Sequence, residues 1–416
     1  MNRRLLGLLI IALAGLTACG RYASAPPAAA GYRLFLEQGY NGTDQVTVLD
    51  SGTGTVERQL PLGTPAPDWS RYYVVTQMTG SERLSALDPA SGRTLGQISI
   101  AAGFQLPSLG FTGPSAGLSP NGQWLVLTRQ SGSVSRFLVG SSSLSQAFTT
   151  VQLQGDFSFD AISNDGQSMY LIQKMGDPNH YQVRLYDLGT QSLAVQPVAD
   201  KREPREPMNG IRGDSVADPT GKYVFTVYAR DNGPFIHALP LGQPVAWCLD
   251  LPAKSASDIE EQFHWSLVSN RDGSLVYAVN GSSGFIAEIA PDNLPSLRRT
   301  VPVAMNASSG LIGGLVTNAD AKGALIGGSA LSPDGRTLFA LGDTGIVVID
   351  VGTLKVRSRI LTGDVIESIR LSADGHWLYA AGGASGIWQI NPATGAVAGQ
   401  VKGGSATWAL LWAAAK

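Results

Sequence analysis

The side chains best suited to catalysis or metal binding are few and scattered in this 416-residue chain. Its four histidines, His180, His237, His264 and His376, lack the spacing of a metal-binding motif. His180 and His264 could reach the same surface, but neither can be paired with a nucleophile or a carboxylate from the sequence. No Gly-x-Ser-x-Gly segment, the turn that exposes the serine of many hydrolases, occurs. We therefore assign no catalytic, cofactor-binding or metal-binding residue.

The two cysteines are expected to be in different chemical states. The opening "MNRRLLGLLIIALAGLTACG" has a basic start and a short apolar run, which is typical of a secretory signal peptide over residues 1–18. Its end, Leu16-Thr17-Ala18-Cys19, resembles the bacterial lipobox, which implies a lipid on the Cys19 thiol and cleavage before it. The alternative is an ordinary signal peptide with a chance cysteine. Cys248 lies in an alternating apolar stretch, so we expect a buried, inert thiol there.

Composition and charge narrow the class of protein. Charged residues make up 15% of the chain, glycines number 50, and the chain has 30 basic and 32 acidic residues. Such a composition favours many short strands joined by tight turns and gives no basic surface for nucleic acid. Residues 19–31 read as a lipidated cysteine and a flexible tether, and 32–416 as a single domain.

A turn sequence returns along the whole chain. "LSPDGRTLFALG" (331–342) is nearly repeated 40 residues later as "LSADGHWLYAAG" (371–382). In each copy a Ser side chain can accept a backbone hydrogen bond, and the Gly can adopt the left-handed conformation that starts an antiparallel strand. Related copies are "LSPNGQWLVL" at 118, "ISNDGQSMYLI" at 162, "ADPTGKYVFTV" at 217, "VSNRDGSLVYAV" at 268 and the degenerate "PAPDWSRYYVV" at 65.

A second recurring turn, of the type "VIDVGTLKV" (348–356), sits about twenty residues after the first. Together the two turns predict a repeated four-stranded antiparallel meander with strands A to D, and such sheets packed face to face form a β-propeller. Counting B strands gives eight blades, with seven as the alternative. The first blade lacks strand A, and "SATWALLW" (405–412) supplies one surplus strand, so we predict closure of the ring by this pairing. The alternative for the chain end is a helix over 406–416.

Copies such as "LFALGDTGIVVIDVGTLKVRSRI" resemble the bacterial YVTN/WD40-like propeller repeats, and the Ser-Pro-Asp-Gly turns resemble those of TolB-type propellers. The resemblance covers nearly all of residues 32–412 and implies the fold. It implies little about function, because the motif residues shape turns. Some similar propellers are lactonases, but no lactonase motif transfers to this chain. Others are quinone-dependent dehydrogenases, whose tryptophan signature after the Thr-Gly turn is absent here.

The lengths of the connections favour one face as the binding side. A–B and C–D turns are short and share one face, which we call the turn face. B–C loops and D–A connections share the other, the long-loop face. The longest connections run over 101–114, 199–214, 251–265 and 303–328. The tripeptide Arg212-Gly213-Asp214 matches an integrin-recognition motif, but strand A of blade 5 is expected to include part of it.

The sequence therefore favours a lipid-anchored, extracytoplasmic propeller, at the cell surface or in the periplasm, that binds a protein or a small molecule at the long-loop face. The expected partners are the membrane, through the lipid on Cys19, and that unidentified ligand, without nucleic acid and without a cofactor. A lactonase-like hydrolase using the same face is the main alternative, and a purely structural envelope component is a third.

Overall fold

The protein is an eight-bladed β-propeller in the computed structural model, which describes residues 31–38, 45–107, 116–176, 180–200, 208–303, 328–342, 344–382, 386–401 and 409–416. Almost all strand pairs are antiparallel, and within these ranges the only α-helix is the single turn Ile259–Gln262. No helix in the described ranges is long and apolar enough to cross a membrane. The eight blades confirm the predicted fold and exclude the seven-bladed alternative.

The first four blades follow the predicted meander, with strand A innermost and strand D outermost. Blade 3 keeps three full strands, and its strand A is reduced in the described residues to isolated bridges of Gln105 with Thr128 and Leu118 with Leu125. In order A to D the strands are Ala409–Ala415, Tyr32–Gln38, Gln45–Asp50 and Val56–Pro61 (blade 1); Thr64–Pro65, Tyr72–Met78, Ser81–Leu87 and Thr94–Ala101 (blade 2); Trp124–Ser131, Val134–Ser141 and Thr149–Gln154 (B to D of blade 3); and Phe157–Ile162, Ser168–Lys174, His180–Asp187 and Ser192–Leu193 (blade 4).

Each of the last four blades has all four strands. Two short strands in the connection between blades 4 and 5 add to their outer parts: Met208–Asn209 pairs with strand C of blade 4, and Ala199–Asp200 runs parallel to strand D of blade 5. The blades comprise Ile211–Ala217, Tyr223–Ala229, Phe235–Pro240 and Val245–Asp250 (blade 5); Trp265–Ser269, Val276–Asn280, Phe285–Ala290 and Ser296–Pro302 (blade 6); Ser329–Leu331, Thr337–Leu341, Ile346–Asp350 and Lys355–Ile360 (blade 7); and Ser368–Leu371, Leu378–Gly382, Gly386–Ile390 and Val397–Val401 (blade 8).

The two ends of the chain close the ring in blade 1, as predicted. Ala409–Ala415 pairs antiparallel with Tyr32–Gln38, and the Lys416 backbone N–H donates to the Gly31 carbonyl at 2.8 Å. The alternative of a C-terminal helix is therefore excluded for 409–415. The indole of Trp412 stacks on Trp69 of the A–B turn of blade 2, with ring centroids 4.5 Å apart. The closing strand thus packs against a neighbouring blade as well as pairing within its own.

Apolar side chains between the blades form the core. Within the described residues, eight buried clusters each join two consecutive blades, and the cluster containing Leu34, Tyr379 and Leu410 joins blade 8 to blade 1. Each blade therefore buries both faces, which explains the mostly apolar B and C strands. The ring needs no disulfide, since Cys248 is a free cysteine.

The A–B turns have the hydrogen bonds that their sequence predicts. In blade 7 the Ser332 hydroxyl donates to Asp334 at 2.6 Å and accepts the Thr337 backbone N–H at 2.9 Å. Gly335 then takes a φ of +69°, which L-residues rarely adopt. Gly375 occupies the same position in blade 8 with a φ of +73°. These turns fix the direction of each B strand.

Candidate functional site

The structure does not bring the four histidines together. His180 begins strand C of blade 4 and is exposed, while His264 follows the short helix before blade 6. His376 lies on the turn face with a side chain 75% exposed, and its ring contacts Asp374 at 3.1 Å, which confirms its expected surface position. His237 is buried in strand C of blade 5. Among the described residues, no group of three or more His, Cys, Asp or Glu side chains could hold a metal ion.

Cys248 is only half-buried, so the expectation of a fully buried thiol is wrong. It lies in strand D of blade 5, beside the short outer strand Ala199–Asp200 and directly opposite His237. Its side chain packs against the apolar cluster between blades 4 and 5. Its backbone N–H donates to the Asp200 carboxylate at 2.7 Å. The position in the outer part of the sheet explains the remaining exposure.

Two β-bulges in neighbouring inner strands place carboxylates at the centre of the ring. Asp160 occupies the bulge between Phe159 and Ala161 in blade 4, and its carboxylate accepts a hydrogen bond from the Arg212 guanidinium of blade 5. A bulge re-aims a side chain because it inserts one extra residue into the alternation of the strand. Without it, Asp160 would follow the regular in-and-out order of its strand.

The second bulge lies between Arg212 and Ser215 and contains Asp214. The Asp214 carboxylate accepts hydrogen bonds from the Leu267 backbone N–H of blade 6 at 2.7 Å and from the Ser215 N–H at 2.9 Å. The Arg-Gly-Asp tripeptide therefore lies within an inner strand, with both charged side chains engaged by neighbouring blades. This arrangement excludes its display as an integrin-binding loop.

A second cation, partly exposed, lies opposite these carboxylates. Arg370 is in the inner strand of blade 8, and it interacts electrostatically with Asp214 of blade 5. Because blades 5 and 8 are not neighbours, the two side chains face each other across the centre of the ring. Arg370 makes no hydrogen bond or close ion pair with the part of the chain that the structure describes.

Burial shifts the pKa values of both Asp214 and Arg370. It raises the pKa of Asp214 to about 6, an increase limited by the hydrogen bond from Leu267 and by the charge of Arg370. Burial also lowers the pKa of Arg370, and the charge of Asp214 opposes that effect. Arginine nonetheless stays protonated at neutral pH, so the centre of the ring holds a guanidinium without a direct counter-ion among the described side chains.

Blades 4 and 5 enclose a polar cluster beside this centre. The rings of Tyr181 and Tyr228 stack with centroids 5.4 Å apart, and His237 meets Tyr228 edge-on at 6.1 Å. Burial lowers the pKa of His237 to about 4, so its imidazole is neutral at pH 7. The two tyrosine hydroxyls interact electrostatically, yet neither makes a hydrogen bond of full geometry.

Several polar atoms of this cluster remain without a hydrogen-bond partner within the described residues: Asp160 Oδ2, Arg212 Nε, Tyr181 Oη, Tyr228 Oη and His237 Nε2. Unpaired buried polar atoms are rare in folded proteins, so a group of them marks a place where stability is not the only requirement. The sequence reasoning missed Asp160 and Arg370. The available signal was a charged residue inside an otherwise apolar inner strand, as in "FSFDAI" and "SIRL".

The long-loop face is described in part, since 108–115, 177–179, 201–207 and 304–327 lie outside the described residues. Between blades 5 and 6 the connection is firmly held. The Gln262 side chain, 1% exposed, accepts the Arg230 N–H at 2.8 Å and donates to the Arg230 and Ala256 carbonyls. The Arg230 guanidinium lies 4.3 Å from the Phe235 ring centroid. This part of the face is a preorganised surface.

Comparisons with known proteins support the fold. No protein-family model matches the chain, and no curated protein matches it significantly. Its structure is similar to that of AztD from Citrobacter koseri (11% identity, 93% of this chain and 98% of that one, TM-score 0.55). It is also similar to the dihydro-heme d1 dehydrogenase NirN in complex with DHE (14% identity, 91% and 75%, TM-score 0.51). At these identities the similarity shows a shared propeller fold and carries nothing about ligand or activity.

Proposed function

We propose that this protein is a lipid-anchored, extracytoplasmic propeller that binds a ligand or a partner protein through the centre of its ring and its long-loop face. The observation that carries the proposal is Arg370, a guanidinium deep in the ring with no direct partner among the described residues. Arg370 is partly exposed yet desolvated, and a charge desolvated without a direct counter-ion lowers stability, so its presence at the ring centre is better explained by binding than by folding.

The course of the chain supports a defined orientation. The Tyr32 hydroxyl donates to Asp374 in an A–B turn at 2.8 Å, so strand Tyr32–Gln38 begins at the turn face. Residues 1–30, which include the proposed signal peptide, Cys19 and most of the tether, lie outside the described residues. A tether leaving from Gly31 would place the lipid on the turn-face side. The long-loop face would then point away from the membrane.

A lactonase-like hydrolase is the second candidate, and the described histidines give it little support. His237 is buried among tyrosines, and His376 is on the opposite face from the long connections. A general base has to reach the reacting group within hydrogen-bond distance, which neither residue can do for a ligand at the ring centre. His180 and His264, near the long-loop face, remain open to test.

The anchoring and the binding can be tested with one set of variants. We expect wild-type protein to carry a lipid mass and to fractionate with membranes, and Cys19→Ala to lose both. Membrane fractionation of Cys19→Ala without lipid would contradict the anchor.

For binding, lipidated wild type and Arg370→Gln are used as baits in the native envelope, with exposed Arg271→Gln as a matched control. A partner retained by wild type and Arg271→Gln but lost by Arg370→Gln would support binding at the ring centre. Lactone hydrolysis by wild type that is abolished by His180→Ala or His264→Ala would instead support the hydrolase.

A further inference from the structure

A cavity of about 270 Å³ opens on the turn face between blades 2 and 3. It lies far from the long connections that the sequence favours, and no part of the proposed function uses it. Its walls come from the start of strand B in each blade and from the C–D turn of blade 3. The lining residues are Arg71, Gln123, Trp124, Ser141, Ser142 and Ser143.

The cavity is lined by polar groups, several of which the fold does not use. The side chains of Arg71, Gln123 and Trp124 make no hydrogen bond with the described part of the protein. The hydroxyls of Ser141 and Ser143 lie 2.9 Å apart, and each can bond outward as well. A guanidinium, an amide and several hydroxyls therefore line one small space.

The walls of the cavity are held in place by their surroundings. Gly166 of blade 4 packs directly on the Trp124 indole, and a Cβ at that glycine would lie only 2.1 Å from the ring. The serine turn is fixed from below, because Leu144 is buried with a φ of +58° and the Tyr73 hydroxyl donates to the Ser142 carbonyl at 3.0 Å. Rigid walls lower the entropy lost when a ligand binds.

The chemistry of these groups selects a class of ligand. A sugar carries several hydroxyls that can form hydrogen bonds with an amide side chain and with serines. A guanidinium prefers a carboxylate to a neutral group, because the hydrogen bonds are charge-assisted. The cavity volume falls just below the roughly 300–1,000 Å³ of pockets for drug-sized ligands, which suits one sugar unit.

We propose that this cavity binds a single acidic sugar, either free or at the end of a glycan, with its carboxylate on Arg71 and its hydroxyls on Gln123 and the serine turn. Binding here is independent of the ring centre and of Cys19. The site would therefore survive a failure of the function proposed above.

The test is isothermal titration calorimetry of the soluble domain (31–416) with galacturonate, galactose and acetate. We expect galacturonate to bind more tightly than galactose and acetate to give no measurable heat. Arg71→Gln should weaken the binding of galacturonate by roughly ten-fold or more and leave the binding of galactose unchanged. Arg336→Gln is the matched control, since Arg336 holds the equivalent position in blade 7 away from the cavity. Gln123→Ala should weaken the binding of both sugars.

Three results would overturn the proposal. Galacturonate might give no heat, acetate might bind as tightly as galacturonate, or Arg71→Gln might bind galacturonate like the wild type. Polygalacturonate is added as a glycan probe, and binding of the polymer with no binding of the monomer would identify the end of a chain as the ligand. Thermal melting of every variant separates lost binding from lost fold.

Discussion

At the scale of single residues, the interior holds ionisable groups whose folded and unfolded protonation differ. His237 is neutral in the folded ring, because burial among Tyr228 and Arg212 lowers its pKa to about 4. Asp214 is shifted in the opposite sense, since burial raises its pKa to about 6. Their effects on stability therefore have opposite signs in the same pH range.

For His237, the unfolded chain binds a proton below about pH 6.5 while the folded ring does not until about pH 4. Acidification from pH 6.5 to 4 should therefore remove up to about 3 kcal/mol of unfolding free energy, and His237→Phe should not show this loss. Urea unfolding at half-unit pH steps measures the difference. Parallel pH profiles for the two proteins would contradict the assignment.

For Asp214, the folded ring holds a proton that the unfolded chain releases above about pH 4. Stability from this group is complete below about pH 4 and is lost as the pH rises through 6. Relative to Asp214→Asn, the wild type should lose up to about 3 kcal/mol between pH 4 and 7. The same urea series measures it. No difference in pH dependence between the two proteins would mean that Asp214 ionises with an ordinary pKa, and a relative gain of stability between pH 4 and 7 would mean that folding lowers its pKa.

Only some of the important residues could be predicted from the sequence, for a physical reason. The A–B turn residues were readable because each acts on its own few neighbours in the chain. Asp160 and Arg370 act on residues brought near by the ring, 52 positions away in the case of Arg212. The direction of Asp160 also depends on a bulge, which no local pattern in this chain predicts.

At the scale of strands and turns, two nearly identical sequences have different surroundings. Gly335 of blade 7 faces open space, whereas a Cβ on Gly375 of blade 8 would lie 2.4 Å from the Pro333 ring of the preceding turn. The first glycine is required by backbone conformation alone, and the second also by the contact between blades. The repeat predicts the conformation but not this contact.

Replacing each glycine by alanine should separate the two requirements. Gly335→Ala should cost about 1–2 kcal/mol, from the left-handed backbone alone. Gly375→Ala should cost a further 1–3 kcal/mol or so, because Pro333 has to move. Denaturant unfolding of both variants gives the difference directly. Equal losses of unfolding free energy in the two variants would mean that the neighbouring turn moves aside at no cost.

At the scale of the whole molecule, the closing strand supplies apolar contacts on both of its sides. Leu410 packs in the cluster shared with blade 8, and Leu411 in the cluster shared with blade 2. The prediction of this pairing succeeded because a missing strand at one end matched a surplus strand at the other. The parallel addition of Ala199–Asp200 to blade 5 had no such signal.

Deletion of 409–416 should therefore abolish the single cooperative unfolding transition or lower its midpoint strongly, since two inter-blade clusters lose members. Lys416→Ala is the control. It removes only the partly exposed contacts of the Lys416 ammonium with Asp50 and Glu57, and should leave the melting midpoint nearly unchanged. Circular dichroism melting compares the two variants. An unchanged melt of the deletion would mean that blades 1 and 8 hold together unaided.

The pairing of the first strand with the last also orders events during biosynthesis. Strand Tyr32–Gln38 is made before all others, and its inner edge finds its partner only when 409–415 has been made. Until then every earlier blade can assemble while one edge stays open to pairing with other chains. A nascent or exported chain halted short of that point would be prone to aggregation, and a chaperone that shields bare strand edges would be of most use at this stage.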